Sequence, residues 1–287
     1  MHPGKRIWLF VTGLVVVGLV GGAITVFGWT ISETHFAQPD EDFDRLTARI
    51  EDLPGVRVDE KERWVEAPTF SQPNSWIGLT VEAAGLPGLV AAACTTEYAG
   101  PVSWSFRVRS ERGSVVSGHS DTAPSRVAGG SRCPALGFDA GGLLREIDST
   151  VPGLVLQPSF WDDRFVLVTL EDELAGIAPL LPMVAHADDF RDAAGLDSNL
   201  FVEINAGNLM LIIEPGEHDR YVRLLSDLVG EHGVTSFWAS DAASQTDGMA
   251  KVQIVAPDQE HAEIENRIRD SGLHIADLPI RFISQDS

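Results

Sequence analysis

The chain has 287 residues, with 42 acidic and 21 basic side chains and a formal net charge of −21. Such an acidic protein repels nucleic-acid phosphates and anionic lipid headgroups, because binding to either needs Lys and Arg side chains. We therefore expect no nucleic-acid partner.

The first feature of the chain is an apolar N-terminal run. Residues 7–29 contain no charged side chain, and as a helix they cover the hydrocarbon core of a bilayer, which is about 30 Å thick. Lys5 and Arg6 favour a cytoplasmic N-terminus, and Trp8 and Trp29 lie at the ends of the run, where aromatic rings prefer the headgroup layer. We predict an uncleaved signal-anchor that contacts the lipid bilayer; a removed signal peptide is the alternative.

This anchor determines the predicted location. The chain would be a single-pass cell-membrane protein, with residues 1–6 in the cytoplasm and an extracytoplasmic domain that follows a juxtamembrane linker at 30–41. Gly18 and Gly22 form a small-residue pair on one helix face, which lets two membrane helices approach closely.

Predicted helices and strands follow one another in a repeated order after the linker. Phe43, Leu46 and Ile50 recur at helical spacing, and Pro54-Gly55 ends the helix before a short strand. Three later segments repeat this pattern of apolar stripe, break and strand: Phe138–Ile147, Tyr221–Leu228 and Ile264–Ile268.

Apolar strands separate these helices, mostly in pairs. The pairs are VSWSFRVRS with GSVVSGHS, GLVLQPS with RFVLVTLED, and LFVEIN with LMLIIEP. The last pair flanks Ala206-Gly207, which is a hairpin signal. From residue 208 the order is strand, helix, strand, strand, helix, strand, as in a ferredoxin-like split βαβ unit, and residues 75–157 show the same order.

The predicted fold class is therefore α+β. We expect a single N-terminal transmembrane helix followed by two tandem ferredoxin-like (split βαβ) modules with antiparallel or mixed sheets. The first module would cover residues 42–160 and the second residues 161–287. One large sheet layered with helices is the alternative, but the chain length favours two modules.

Two cysteines, Cys94 and Cys133, lie in the part predicted to be exported, where oxidation is allowed. We hypothesise a disulfide between them, which would stabilise the fold by about 4 kcal/mol in the chain-entropy model. The alternative is two separate buried thiols.

The tryptophans outside the anchor fall into two groups. Trp76 and Trp104 alternate with apolar residues in predicted strands, which indicates the core. Trp64 and Trp161 adjoin charged residues in loop-like surroundings, and we predict that they form an interaction surface. The alternative is that each ring folds over the edge of its module.

The segment VSGHSDTAPS is the best local candidate for nucleophilic catalysis. It places Ser117 or Ser120 beside His119 and Asp121. Neighbours on an extended chain point apart, however, so they do not converge as a catalytic triad requires. A polar turn is the better interpretation, and we predict no catalytic residue.

A second polar cluster, AHADDF, contains His186, Asp188 and Asp189. Oxygen-rich side chains suit hard cations, but the segment lacks the spacing and the glycine of an EF-hand. We interpret it as a solvated acidic cap and predict no metal site. Glycine-rich phosphate-binding motifs are absent from the sequence, so we expect no cofactor.

These observations favour a membrane-anchored extracytoplasmic interaction or scaffold protein of the cell envelope, without catalytic activity. Its partner would be an envelope protein or a second copy of the chain. The alternatives are an exported hydrolase or metal-dependent enzyme that uses the His119 or His186 region, and an extracytoplasmic ligand-sensing domain.

Overall fold

The computed structural model describes residues 35–66, 72–120, 122–123, 133–161, 163–170, 176–243, 245 and 247–283. Twelve of the described strands form one sheet, and two short strands pair separately. The strands are β1 (His35–Ala37), β2 (Val56–Glu66), β3 (Asn74–Glu82), β4 (Ser103–Arg109), β5 (Val115–Ser120), β6 (Thr122–Ala123), β7 (Cys133–Pro134), β8 (Val155–Trp161), β9 (Arg164–Thr169), β10 (Phe201–Ala206), β11 (Leu209–Ile213), β12 (Ser236–Ser240), β13 (Lys251–Val255) and β14 (Ile280–Phe282). The α-helices are α1 (Glu41–Glu51), α2 (Leu86–Thr95), α3 (Ala140–Thr150), α4 (Leu181–Ala185), α5 (Ala187–Ala193), α6 (His218–His232) and α7 (His261–Arg269).

The strand order of the large sheet follows the order of the chain. Apart from the separate pair β6 and β7, every strand lies beside the one that precedes it. From β2 onward the pairings alternate: β2 and β3 are antiparallel, β3 and β4 are parallel, and this continues to the parallel pair β13 and β14. The antiparallel partners follow one another directly, whereas a helix lies between the parallel ones.

The fold is thus a row of five hairpin-and-helix units. Each unit contributes two antiparallel strands and the helix, or helix pair α4 and α5, that leads to the next strand. Helix α1 and strand β1 precede the row, and β14 ends it. The units share one continuous hydrophobic core, as the stacked units of repeat proteins do.

Local sequence explains the ends and faces of the helices. The side chain of Asp40 caps α1, because it accepts hydrogen bonds from the backbone N–H groups of Asp42 and Phe43. Phe43 and Leu46 point into the core, as the helical spacing predicts. Helix α6 ends at Gly233, whose φ of 63° lies in the left-handed region that glycine adopts without strain.

The hydrophobic core lies on one face of the large sheet. Leu79, Phe106 and Leu167 belong to this face, and they share one continuous core with the buried side chains of the helices. Val166 and Ile212, which point to the other face, are buried but stand outside that core. The described helices therefore cover one face of the sheet.

A disulfide joins Cys94 of α2 to Cys133 of β7, with their Cα atoms 4.7 Å apart. Strand β7 contacts α2 and pairs with β6. The bond therefore connects the helical layer to the segment that leads from β5 to α3.

The predicted pair of ferredoxin-like modules is wrong. In a split βαβ unit a further strand separates the two strands that flank the helix. Here β11 and β12, which flank α6, are direct neighbours, and all twelve strands belong to one mixed sheet. The division at residue 160 stays a prediction; it falls in the β8 and β9 hairpin, where Trp161 pairs with Arg164.

The predicted single-pass architecture is also corrected. Within the described part of the chain, no helix is both long and apolar enough to cross a bilayer. The predicted anchor at 7–29 lies outside the described residues. The residues assigned to that anchor and its flanks, which also lie there, are Lys5, Arg6, Trp8, Gly18, Gly22 and Trp29. The predicted signal-anchor and single-pass membrane location are therefore not supported, and the bilayer contact stays a prediction.

Candidate interaction surface

Alternate residues of the large sheet point away from the helices, and we call the surface that they form the uncovered face. The strand register places Thr80, Arg107 and Ser117 side by side across β3, β4 and β5. A second line crosses β10 to β14 through Asn205, Met210, Trp238, Gln253 and Arg281. The uncovered face thus mixes polar, charged and large apolar side chains along its width.

The structure brings Trp64 and Trp161 to the same edge of the uncovered face. Trp64 lies near the end of β2 opposite Asn74, and Trp161 ends β8 opposite Arg164. The pairings of the intervening strands make β2 and β8 run in the same direction. Four strand spacings separate them, which corresponds to about 19 Å. We call this border of the uncovered face the tryptophan edge.

Trp76 belongs to the tryptophan edge as well, so its predicted place in the core is wrong. Trp76 is partly buried on the uncovered face, whereas Trp104 is buried in the core as predicted. The ring of Trp76 lies over Gly78, where a Cβ atom would come within 2.9 Å of the ring. Glycine at position 78 therefore allows the ring to lie flat against the sheet.

A further aromatic side chain extends the tryptophan edge across the sheet. Phe201 of β10 lies opposite Arg164, which in turn lies opposite Trp161. Trp161 is 52% exposed and Phe201 is 36% exposed. Two large apolar side chains therefore flank one arginine at this edge.

That arginine belongs to a buried group of charges on the uncovered face. The Nη1 of Arg164 donates a hydrogen bond to Oε2 of Glu203 at 2.8 Å, and its Nη2 contacts the carboxylate of Asp241. Burial raises the pKa of Glu203, although the neighbouring Arg164 acts in the opposite direction. The pair holds β9 and β10 together beneath the exposed rings, and neither partner was recognised from the sequence.

His119 lies on strand β5 and not in a loop. It is exposed on the uncovered face opposite Ser105. Ser117 points to the same face, but two residues along a strand span about 7 Å. Ser120 points to the other face, where its Oγ donates to the backbone oxygen of Ala135 at 2.7 Å.

The other residues of that candidate do not complete a nucleophile and base. Asp121 lies outside the described residues. Among the residues that the structure describes, no hydrogen bond joins His119 to either serine, so the arrangement needed for nucleophilic catalysis is not assembled there.

A cleft of about 870 Å³ opens at the border opposite the tryptophan edge. It lies where β3 and β4 end, and we call it the arginine cleft because Arg57, Arg109, Arg112 and Arg145 line it. Glu82, Glu111 and Asp148 contribute the opposite charge. The cleft is therefore polar and carries a small excess of positive charge on an acidic protein.

Two of these arginines are already engaged. Arg57 pairs with Asp59 at 2.6 Å, and Arg112 donates to the backbone oxygen of Asp148 at 2.9 Å. Arg109 and Arg145 make no ion pair with any residue in the described ranges. These two side chains are therefore available to an anionic group that enters the arginine cleft.

Comparison with protein-family models, curated proteins and solved structures gives no match to this chain.

The His186 segment lies in the helical layer, away from the uncovered face. Its ring nitrogen Nδ1 lies 2.7 Å from Oδ2 of Asp189, and both side chains are exposed. Asp188 turns the other way, where it pairs with Arg191 at 2.7 Å and with His218 at 3.0 Å. The structure thus separates Asp188 from the two residues with which the sequence grouped it.

Proposed function

We propose that this protein is a non-catalytic binding protein that docks another protein on its uncovered face. The observation that supports this proposal is that the described helices cover one face of a twelve-stranded sheet, whose other face carries three tryptophans along one edge. A sheet face is ordinarily buried against another layer, so a large face on which none of the described helices lies is a candidate contact surface.

The size of the uncovered face fits a protein partner. Twelve strands at a spacing of about 4.8 Å are about 53 Å wide, and five residues along a strand span about 17 Å. Their product is about 900 Å², compared with the roughly 800 Å² that each partner buries in a standard protein interface. A small ligand would occupy only a fraction of this surface.

The side chains of the tryptophan edge also favour a protein partner. Tryptophan and arginine are the residue types that most often dominate binding energy at interfaces. Trp161 and Phe201 are exposed on either side of Arg164, and the Arg164–Glu203 pair fixes the strands beneath them. A rigid base with exposed rings loses little side-chain entropy when a partner binds.

Overall charge distinguishes the two partners expected from the sequence. With a net charge of −21, two copies of this chain repel each other, whereas a basic protein is attracted. We therefore propose that the partner is a basic protein. Repulsion between like charges disfavours a second copy of the chain.

Site-specific photo-crosslinking in the native host tests this proposal. A photo-reactive amino acid replaces Trp161 or, as a control, Arg223, which is exposed on α6. We expect an adduct of discrete mass from position 161 that is not formed from position 223. The same adducts from both positions, or none from position 161, would contradict the proposal.

The identified partner then allows a quantitative test. We expect Trp161→Ala to weaken binding by at least about 30-fold, the effect of losing a hot-spot tryptophan worth 2 kcal/mol. Arg223→Ala, on the other side of the molecule, serves as the matched control and should change the affinity by less than about twofold. Equal effects of the two substitutions would argue against docking on the uncovered face.

The arginine cleft supports a second candidate function, the binding of a small anionic molecule. Arg109 and Arg145 have no ion-pair partner within the described ranges and face the same cavity. Titration with inorganic phosphate and with citrate, followed by calorimetry, tests this function. We expect saturable binding that Arg109→Ala abolishes and Arg223→Ala preserves, and binding that is equal in both variants would contradict it.

A further inference from the structure

A cluster of potential metal ligands lies in the helical layer. Glu146 of α3, His186 between α4 and α5, and Asp189 of α5 each offer one ligand atom, and these three atoms lie within 4.8 Å of one another. The sequence had grouped His186 with Asp188 and Asp189, which we interpreted as an acidic cap. The structure replaces Asp188 with Glu146, a residue 40 positions away from His186 that the pattern did not connect with it.

From this arrangement we propose that Glu146, His186 and Asp189 bind a divalent transition-metal ion of the Zn²⁺ class. One imidazole nitrogen and two carboxylate oxygens form a ligand set that such ions accept, with water in the remaining position. The two carboxylates carry a charge of −2, which one divalent ion neutralises.

The local charge balance of this cluster favours the binding of a cation. Within the described part of the chain, no Lys or Arg pairs with Glu146 or Asp189. The nearest arginine on the same helix, Arg191, is already paired with Asp188 and Asp192. Within the described residues, neither carboxylate is thus neutralised by a Lys or Arg side chain, and the imidazole of His186 is the group paired with Asp189.

The distances need only small adjustments. Tetrahedral coordination with bonds of about 2.1 Å places the ligand atoms about 3.4 Å apart. His186 Nδ1 and Asp189 Oδ2 lie 2.7 Å apart and would separate slightly around an ion. The hydrogen bonds that Glu146 accepts from Ser149 and Thr150 end on Oε1, so Oε2 is available as a ligand.

The two helices that carry the ligands are held firmly against each other. At Gly142 of α3, a Cβ atom would lie 2.1 Å from the backbone oxygen of Ala193, so only glycine permits this approach. The backbone N–H of Asp139 donates to the oxygen of Ala194 at 2.8 Å beside this contact. Glu146 therefore lies on a scaffold that keeps a fixed position relative to α5, which reduces the cost of assembling the ligands.

A second cluster with similar residue types is less suited to bind a metal ion. Glu214, Glu217 and His274 also bring their ligand atoms together. Glu217, however, already pairs with Arg220 at 2.9 Å and with His274 at 3.2 Å. A metal ion would have to displace the arginine there, so we assign the site to the Glu146 cluster.

Calorimetric titration of the full chain with Zn²⁺ tests the assignment. We expect one saturable site, and we expect His186→Ala, Glu146→Gln and Asp189→Asn each to weaken it by at least about tenfold. Asp192→Asn is the matched control, because Asp192 lies on the same helix, has nearly the same exposure as Asp189 and loses the same charge. It should change the affinity by less than about twofold.

Absorption of bound Co²⁺ gives an independent readout of the imidazole. We expect the intense visible bands of four-coordinate Co²⁺ in the unmodified chain and their loss in His186→Ala. Unchanged Zn²⁺ affinity in His186→Ala, or equal losses in Asp189→Asn and Asp192→Asn, would show only general attraction of cations to an acidic protein and would overturn the proposal. Far-ultraviolet circular dichroism of each variant separates loss of the site from loss of the fold.

Discussion

The two faces of the large sheet use neighbouring residues of the same strands for different purposes. On β9, Leu167 is fully buried under the helices, whereas Val168 is only partly buried on the uncovered face. On β8, Leu156 belongs to the core, while Trp161 is 52% exposed. The strand period of two thus places Leu156 and Leu167 in the core and Trp161 at the surface, although Val166 and Ile212 of the uncovered face are buried as well.

The core residues of the covered face should contribute most of the stability of this chain. Apolar side chains on the covered face share one core with the helices, and the disulfide lies on the same side. The uncovered face also has buried residues, among them Val166, Ile212 and the ion pair of Arg164 and Glu203. Substitutions of core residues should therefore lower stability, whereas substitutions of exposed residues on the uncovered face should lower binding with little loss of stability.

Removal of the disulfide should have the largest effect on stability. The bond closes a loop between residues 39 positions apart, and the chain-entropy model gives about 4 kcal/mol for a loop of this length. We expect the double variant Cys94→Ala, Cys133→Ala to lose about that amount in urea unfolding. A reductant should destabilise the unmodified chain by a similar amount and leave the double variant unchanged. A loss below about 1 kcal/mol would show that the bond does not constrain this loop.

A pair of adjacent residues on β9 compares the two faces directly. Leu167→Ala removes a side chain with 0% exposure and should cost about 3 kcal/mol, because it leaves a cavity in the core. Val168→Ala, on the uncovered face, should cost less than about 1 kcal/mol. Urea unfolding of both variants measures the difference. Similar losses would mean that the uncovered face is packed as tightly as the core.

Much of the local structure could be predicted from the sequence. The helical spacing of Phe43, Leu46 and Ile50 predicts the buried side of α1, and the apolar pairs LFVEIN and LMLIIEP correspond to β10 and β11. The order of strands in the sheet could not be predicted. Both a split βαβ unit and the observed row of hairpins show the same order of elements along the chain, and only the pairing of distant strands distinguishes them.

The candidate surface was predictable only in part. Trp64 and Trp161 were chosen because they adjoin charged residues, and the structure places both on the uncovered face. Trp76 was assigned to the core because its segment alternates, although the alternation itself puts Ile77 and Leu79 on the opposite face from it. A single acidic residue in the apolar run LFVEIN was the available signal for Glu203, but its partner Arg164 is 39 residues away and only the fold connects them.

The ion pair on the uncovered face should make stability depend on pH in a specific direction. Burial raises the pKa of Glu203 above its ordinary value of 4.5, so the folded chain holds this proton more tightly than the unfolded chain does. Its contribution to stability is therefore fully present below the unfolded pKa and is lost as the pH rises through the folded pKa.

The effect should amount to about 1.4 kcal/mol for each unit by which the pKa is raised. We compare urea unfolding of the unmodified chain and of Glu203→Gln, which keeps an acceptor for Arg164 but cannot ionise. The stability of the unmodified chain relative to this variant should fall as the pH rises above the unfolded pKa and through the raised folded pKa. A relative stability that rises over this range would show that the ion pair outweighs the cost of burying the carboxylate.

The smallest expected effect on stability concerns the largest exposed side chain at the tryptophan edge. Trp161 is a ring on the uncovered face with 52% exposure, so Trp161→Ala should change the free energy of unfolding by less than about 0.5 kcal/mol. The same substitution is expected to remove partner binding, so a normal unfolding curve together with lost binding would assign this ring to contact and not to folding. A loss above about 2 kcal/mol would instead place Trp161 among the residues that hold the sheet together. The tryptophan edge would then contribute to folding, and the separation of binding residues from stabilising residues would not apply to it.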